Sequence, residues 1–289
     1  MNGYRRILAI VNGSARTAAV LRMAGDLARH HDAALTVGFC LDPLTGVYVT
    51  PEISASVVQM GVQQREDARA RVVEAAQAEA GRSGLELPII DIDAGVGGSA
   101  LMQARVADLV VMGQRDDDDP TDPAPDIGPR IIMGAGVPVL FVPYAGEFAC
   151  CGKRVLIAWA GTRESTRALH DALPMMREAE WIEVMQFIDA ADADGPDSLD
   201  EAIALLAGHG LKAMKSRQVL RTPSIGERIL SPGTADASVA EILLSRVADE
   251  RVDLLVMGAY GHARALETIL GGVTRTVLSS MTVTTMMSH

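Results

Sequence analysis

The chain is poor in aromatics, in cysteine and in positive charge. Phe, Tyr and Trp make up 3% of its 289 residues, against 48% hydrophobic overall, so any core must be aliphatic and the composition is not that of a disordered chain. Arg and Lys number 26 against 37 Asp and Glu, a formal net charge of −11. That argues against a general nucleic-acid binder, because phosphate backbones demand basic patches. Three cysteines (Cys40, Cys150 and Cys151) build no disulfide framework, and adjacent cysteines bond to each other only under strain. Long apolar runs are missing too. No stretch approaches a membrane span, and the apolar residues before Asn12 are too few for a signal sequence. The expectation is a cytoplasmic protein that engages no membrane.

What is present is an alternation of short apolar runs and amphipathic stretches. Ile7 to Val11 reads as a strand covered on both faces, turned by Asn12-Gly13-Ser14, with Ser14 a candidate N-cap. A helix follows with Leu21, Ala24, Leu27 and Ala28 on one stripe, then a strand over Leu35 to Phe39. A long alanine-rich helix runs from about Ser54 to Ala80, ended by Gly81 or Gly84. Strands over Leu87 to Asp93, Ala107 to Met112 and Val137 to Val142 complete the unit, with a stunted helix over Ser99 to Arg105. Strands alternating with helices imply parallel packing with right-handed crossovers.

The unit then repeats. Val155 to Trp159 followed by Gly161 answers Ile7 to Val11 followed by Gly13, an offset of 161 − 13 = 148. Asp253-Leu-Leu-Val-Met-Gly258 answers Asp108-Leu-Val-Val-Met-Gly113, an offset of 145. Near-equal offsets mean an internal duplication, with halves over 1–147 and 152–289. In the second half, strands are expected at Trp181 to Phe187 and Lys212 to Leu220. Capping boxes are read at Ser198…Glu201 and Ser238…Glu241, a kink at Pro174, and a long loop over Arg221 to Ala237.

The most informative stretch is GAYGHARALETILGGVT, Gly258 to Thr274, directly after the apolar run ending at Met257. Gly258 and Gly261 permit a sharp turn, and the amides of Gly271 and Gly272 sit just before a helical stretch. Bare amides at a helix start form an anion site whose usual occupant is a phosphate. Arg264 and Arg275 add positive charge nearby. The first half instead reads QRDDDDPTDPAP after Met112-Gly113. Asp116 to Asp119 would repel a polyphosphate unless a metal intervened, and Pro120, Pro123 and Pro125 remove amide donors. The acidic run reads as a solvated loop, with a Mg²⁺ or Ca²⁺ site as the alternative. His262 has no sequence neighbour to complete a metal set.

The spacing G-x-x-G-x9-G-G-V-T resembles the ATP-binding motif of the universal stress protein family, in its tandem two-domain bacterial form. The resemblance covers the chain as two copies and is strongest in the second. It implies two tandem Rossmann-like (flavodoxin-like) α/β domains, each a mostly parallel five-stranded sheet flanked by helices. It also implies ATP or a related adenine nucleotide, with Mg²⁺ an open addition, in the second copy only. The phosphate side would be Gly258, Gly261, His262, Arg264, Gly271, Gly272, Val273 and Thr274. The base side would be Ala158, Trp159, Ala160, Phe187 and Met257. Two positions depart from the pattern. Gly272 stands where the family usually offers a hydroxyl. Ala160 stands where the first strand usually ends in Asp or Asn, as it does at Asn12 of the first half. Trp159 fits a core role as well as a base contact.

The family also pairs its last strands, so an intramolecular pseudo-dimer is expected, with a homodimer left open. No residue stands out as a catalytic base, and the implied role is stress response or signalling, with slow ATP hydrolysis at most. The alternatives are a nucleotide-free interaction module with a vestigial site and a nucleotide-processing enzyme.

Overall fold

A computed structural model describes residues 3–40, 55–93, 98–116, 118–119, 127–148, 151–189, 198–220, 234–261 and 272–289. The chain divides between Ala149 and Cys150 into two compact units. The first contains β1 (Arg6–Val11), α1 (Thr17–His31), β2 (Ala34–Cys40), α2 (Ala55–Ser83), β3 (Ile89–Ile92), α3 (Ser99–Ala104), β4 (Leu109–Gly113), α4 (Gly128–Ala135) and β5 (Val139–Val142). Its strands run in the order β3-β2-β1-β4-β5, every pair parallel. The second contains β6 (Arg154–Trp159), α5 (Arg163–Ala172), β7 (Trp181–Asp189), α6 (Leu199–Gly208), β8 (Met214–Leu220), α7 (Thr234–Asp249), β9 (Leu254–Gly258), α8 (Gly272–Ser280) and β10 (Thr285–Ser288). Its order is β8-β7-β6-β9-β10, again parallel throughout. Each half is thus the expected parallel five-stranded α/β sheet with the same topology.

The apolar runs explain the strand order. β4 and β9 are buried over their first four residues and sit centrally, covered on both faces. β8 carries Lys215, Arg217 and Gln218 and is largely exposed at the margin of its sheet. In α1 the stripe Val20, Leu21, Ala24, Leu27 and Ala28 is buried, and the helix ends at a left-handed Asp32 after Arg29, His30 and His31. Gly84 closes α2 at φ +72°, its amide donating to the Ala80 carbonyl at 2.9 Å.

The duplication reaches a hydrogen-bonding device. Asp108, just before β4, accepts the amides of Arg5 (2.7 Å) and Arg6 (2.9 Å). Asp253, just before β9, accepts those of Gly152 (2.7 Å), Lys153 (3.1 Å) and Arg154 (3.1 Å). One carboxylate thereby fixes the entry of each half's first strand. Burial pushes the Asp253 carboxyl above its ordinary value, against the opposing pull of the three amides and Arg154.

Several local expectations are corrected. Ser14 does not cap α1: the helix starts later, and Ser14 contributes only its carbonyl, to the Thr17 amide. Ser198 precedes α6 but makes no side-chain cap: its backbone already lies in the right-handed helical region, and its hydroxyl accepts the indole N–H of Trp159 (3.0 Å). Ser238 lies inside α7, whose backbone already turns helical at Thr234 within the segment read as loop. Pro174 terminates α5 rather than kinking it, since the helix ends at Ala172. A cap forms instead at the start of α5, where Thr162 and Ser165 make a reciprocal box.

Candidate functional site

In an open parallel sheet the crevice forms beyond the carboxyl ends of the strands where the order reverses, here between β6 and β9. The register brings the expected residues to that edge. Ala158 pairs with Met257, Trp159 with Gln186, and Ser288 with Gly258. Phe187 follows, half-buried, and Ala160 is exposed just past the end of β6. Met257 is buried under the glycine turn.

The turn itself is shaped by close approach. A Cβ at Gly258 would lie 2.5 Å from the Ser165 amide nitrogen and 2.6 Å from the Glu164 carbonyl carbon. Only glycine lets the first turn of α5 rest on the end of β9. Tyr260, between the two glycines, holds φ at +60°, a strained conformation for a bulky side chain. It is buried, with its ring edge-on to His289 at 6.4 Å. Flanking bonds lock the turn to β10: the Ala259 amide donates to the Ser288 carbonyl (2.8 Å), and His289 Nδ1 to the Ala259 carbonyl (3.0 Å).

The far part of the motif returns to the same place. Gly272 opens α8 and Val273 is half-buried within it, while Thr274 is 4% exposed. The Thr274 hydroxyl accepts the Tyr260 amide at 3.4 Å, so the two ends of the glycine motif meet although 14 residues separate them. As an acceptor there, that hydroxyl keeps its own proton to donate. His262, Arg264 and Gly271 lie outside the described residues.

One charged group enters that sequence reasoning missed. Glu164, on the first turn of α5, is 8% exposed, and its Oε2 would be 2.9 Å from a Cβ at Gly261. Arg163 Nε donates to its other oxygen at 3.1 Å. Burial pushes the Glu164 carboxyl up, but its own backbone amide, the Thr162 hydroxyl and Arg163 together hold it below the ordinary glutamate value. Trp159 is 7% exposed and bonded to Ser198, which gives it a structural part. Beside it the buried Gln186 keeps a side-chain oxygen without a hydrogen-bond partner among the described residues.

The corresponding edge of the first half is filled by its own groups. Asn12 Oδ1 accepts the Ser14 amide (3.1 Å), and an Asp119 carboxylate oxygen accepts the Ala15 amide (3.1 Å). Arg71 Nε donates to the Gly13 carbonyl (2.7 Å), and a Cβ at Gly13 would meet the Ala68 carbonyl oxygen at 2.6 Å. α2 therefore lies directly on the turn after β1. Asp117 lies outside the described residues. Among the described residues no group of three His, Cys, Asp or Glu is placed to hold a metal, and no helix is long and apolar enough to cross a membrane.

The model of the universal stress protein family matches residues 3–143 and again 152–289. The chain belongs to the universal stress protein family. It is a tandem member, since the two matches take up almost its whole length. A universal stress protein from Archaeoglobus fulgidus superposes with a TM-score of 0.67 at 15% identity, over 98% of this chain and 97% of its own. A Pseudomonas aeruginosa protein assigned to the same family gives 0.60 at 13% identity, over 99% and 93%. These likenesses concern the fold. A shorter universal stress protein, solved in complex with cAMP, matches 48% of this chain and 97% of its own at 19% identity and a TM-score of 0.35. No curated protein matches the chain.

Within this universal stress protein, Thr162 and Ser165 were findable from their three-residue spacing. Glu164 and Gln186 had no such signal, because burial beside a turn is a property of the packed chain.

Proposed function

We propose that the second half of this universal stress protein binds ATP or a related adenine nucleotide beyond the ends of β6 and β9. Binding would act in stress response or signalling by shifting a conformational or partner equilibrium, not by catalysis. The observation that carries the reading is the Thr274–Tyr260 contact, which gathers both ends of the glycine motif at the sheet's switch point. The residues present fit a phosphate: glycines that admit close approach, a helix start at Gly272, and a threonine hydroxyl with a proton to give. His262, Arg264, Gly271 and Val273 complete the phosphate side of the proposal. Ala158, Trp159, Ala160, Phe187 and Met257 form its base side. Mg²⁺ would accompany the nucleotide by neutralising phosphate charge. The first half takes no nucleotide, a reading supported by the carboxylate at its α1 start and by α2 against Gly13. A cytoplasmic setting belongs to the same proposal.

Isothermal calorimetry with Mg²⁺ and ATP tests this, with an expected stoichiometry of one per chain. Arg264→Ala is expected to weaken ATP about tenfold, about 1.4 kcal/mol, within the range of a hydrogen bond to a charged group. Adenosine, which has no phosphate, is expected to be unaffected by that change. Two equivalent sites, or none, would refute the proposal.

A further inference from the structure

We propose that the Glu164 carboxylate makes the second half selective by ligand charge. It would disfavour free polyphosphates and admit nucleotides that carry one phosphate or whose phosphates are neutralised by Mg²⁺. The inference rests on the nucleotide reading above and adds a residue that the glycine motif does not contain.

The carboxylate stands where the anion should be. Its Oε2 lies over Gly261, while the main-chain carbon and Cβ of the same residue pack against Gly258, so the charge sits at the second glycine of the turn. Its backbone amide and the Thr162 hydroxyl, donors that the start of α5 presents to an anion, favour its charged form. Among the described residues the cation bonded to it is Arg163, which is 76% exposed and offsets little of its charge in water.

The duplication gives an independent comparison. With the 148-residue offset, Glu164 corresponds to Arg16, so the charge is inverted between halves. The first half nevertheless supplies a carboxylate to the same helix start, from Asp119 to the Ala15 amide. Both halves thus fill this anion position internally, by unrelated residues. In the first half the turn is also covered by α2 at Ala68 and Arg71. In the second half Gly261 is exposed, so a ligand can reach the turn and must meet the glutamate.

A purely structural Glu164 would cap α5. That task is already served by the Thr162–Ser165 box, and loss of a cap would change every ligand's affinity alike. A charge filter ranks ligands by charge. Two like charges a few ångströms apart at a part-buried site repel by an amount worth about a tenfold change in affinity or more.

The test is calorimetry with adenosine, AMP and ATP, with and without Mg²⁺, on the full chain and on Glu164→Gln. Glutamine keeps the side chain's size and one acceptor oxygen and removes the charge, with an amide group in place of the second oxygen. The expected result is that Glu164→Gln tightens Mg²⁺-free ATP about tenfold and AMP about threefold, while adenosine is unchanged. Wild type alone should bind AMP more tightly than Mg²⁺-free ATP, and Mg²⁺ should reverse that order. This second measurement needs no variant to fold. Equal tightening of ATP and adenosine, or a wild type that prefers free ATP to AMP, would overturn the charge filter and leave the nucleotide reading standing. If none of the three binds either protein, the nucleotide reading fails and the filter with it.

Discussion

Gly258 and Gly113 occupy the same place in the two halves, 258 − 113 = 145 residues apart, each ending its sheet's fourth strand. Alanine at the two positions should behave very differently. At Gly258 the added Cβ would sit 2.5 Å from Ser165 N, 2.6 Å from Glu164 C and 2.9 Å from Glu164 Cβ. These are main-chain or Cβ atoms of α5, so no side-chain rotation relieves them and the helix start must move. Overpacking of this kind costs about 1–3 kcal/mol, and backbone obstruction puts Gly258→Ala near the top, at about 3 kcal/mol. At Gly113 the nearest atoms are Val20 Cγ2 at 3.4 Å and Arg16 Cβ at 3.7 Å, within ordinary contact. Gly113→Ala should therefore be neutral or stabilise by about 0.4–1 kcal/mol through the unfolded chain. Urea unfolding followed by tryptophan fluorescence reads the second half alone, because Trp159 and Trp181 are the only tryptophans. With a slope of about 2 kcal/mol per molar urea, Gly258→Ala should lower that midpoint by about 1.5 M. Gly113→Ala should leave it in place. A Gly258→Ala midpoint equal to that of the wild type would refute close approach, and calorimetric melting of the first-half transition reads Gly113→Ala.

Ser198→Ala should destabilise the second half by about 1–3 kcal/mol, since it leaves the buried Trp159 indole without an acceptor. Glu201→Ala, which disrupts no capping box, should stay within about 0.5 kcal/mol in the same urea experiment. Asp253→Ala should cost about 2 kcal/mol by stripping three amides of their acceptor, and calorimetric melting of the second-half transition measures it. The Glu164 carboxyl is held below its ordinary value, so its stabilisation is present above the unfolded pKa of about 4.3 and lost as pH falls through the folded one. Glu164→Gln should accordingly flatten the acid limb of the stability profile below about pH 4, and an unchanged limb would contradict that assignment.

The sheet was legible because periodicity and duplication are properties of the chain itself. Ile7 to Val11 and Leu254 to Met257 are continuous apolar runs, and such runs become central parallel strands. The glycine motif was legible too, since Gly258 and Gly272 owe their places to spacing. What was not legible are the choices a side chain makes among partners that only folding brings near. Ser198 precedes a helix with a glutamate three residues on, yet its hydroxyl goes to Trp159, 39 residues earlier in the chain. Asp119 sits in an acidic run that reads as solvated, yet one of its oxygens takes an amide 104 residues away. Pro174 could kink or end a helix, and the chain turns at Leu173 because the following residues pack back on Ala172 through the Met175 and Met176 amides.

The duplication also shows how one architecture diverges at the carboxyl edge of its strands without loss of fold. Asp108 and Asp253 keep the same task at the base of the sheets. At the opposite edge Asn12 has become Ala160, Arg16 has become Glu164, and the acidic run stands in place of a glycine turn. The strands need the first set of contacts to form. The edge residues are free to change because they hold no strand in register.

The proposed binding is of one adenine nucleotide per chain, at the second half's glycine turn. Native mass spectrometry of the full chain with ATP and Mg²⁺, beside Gly261→Asp and Asp119→Asn, tests it most directly. A single added nucleotide mass is expected in the wild type and in Asp119→Asn, and none in folded Gly261→Asp. Two nucleotide masses in the wild type, or one that persists in Gly261→Asp, would contradict it.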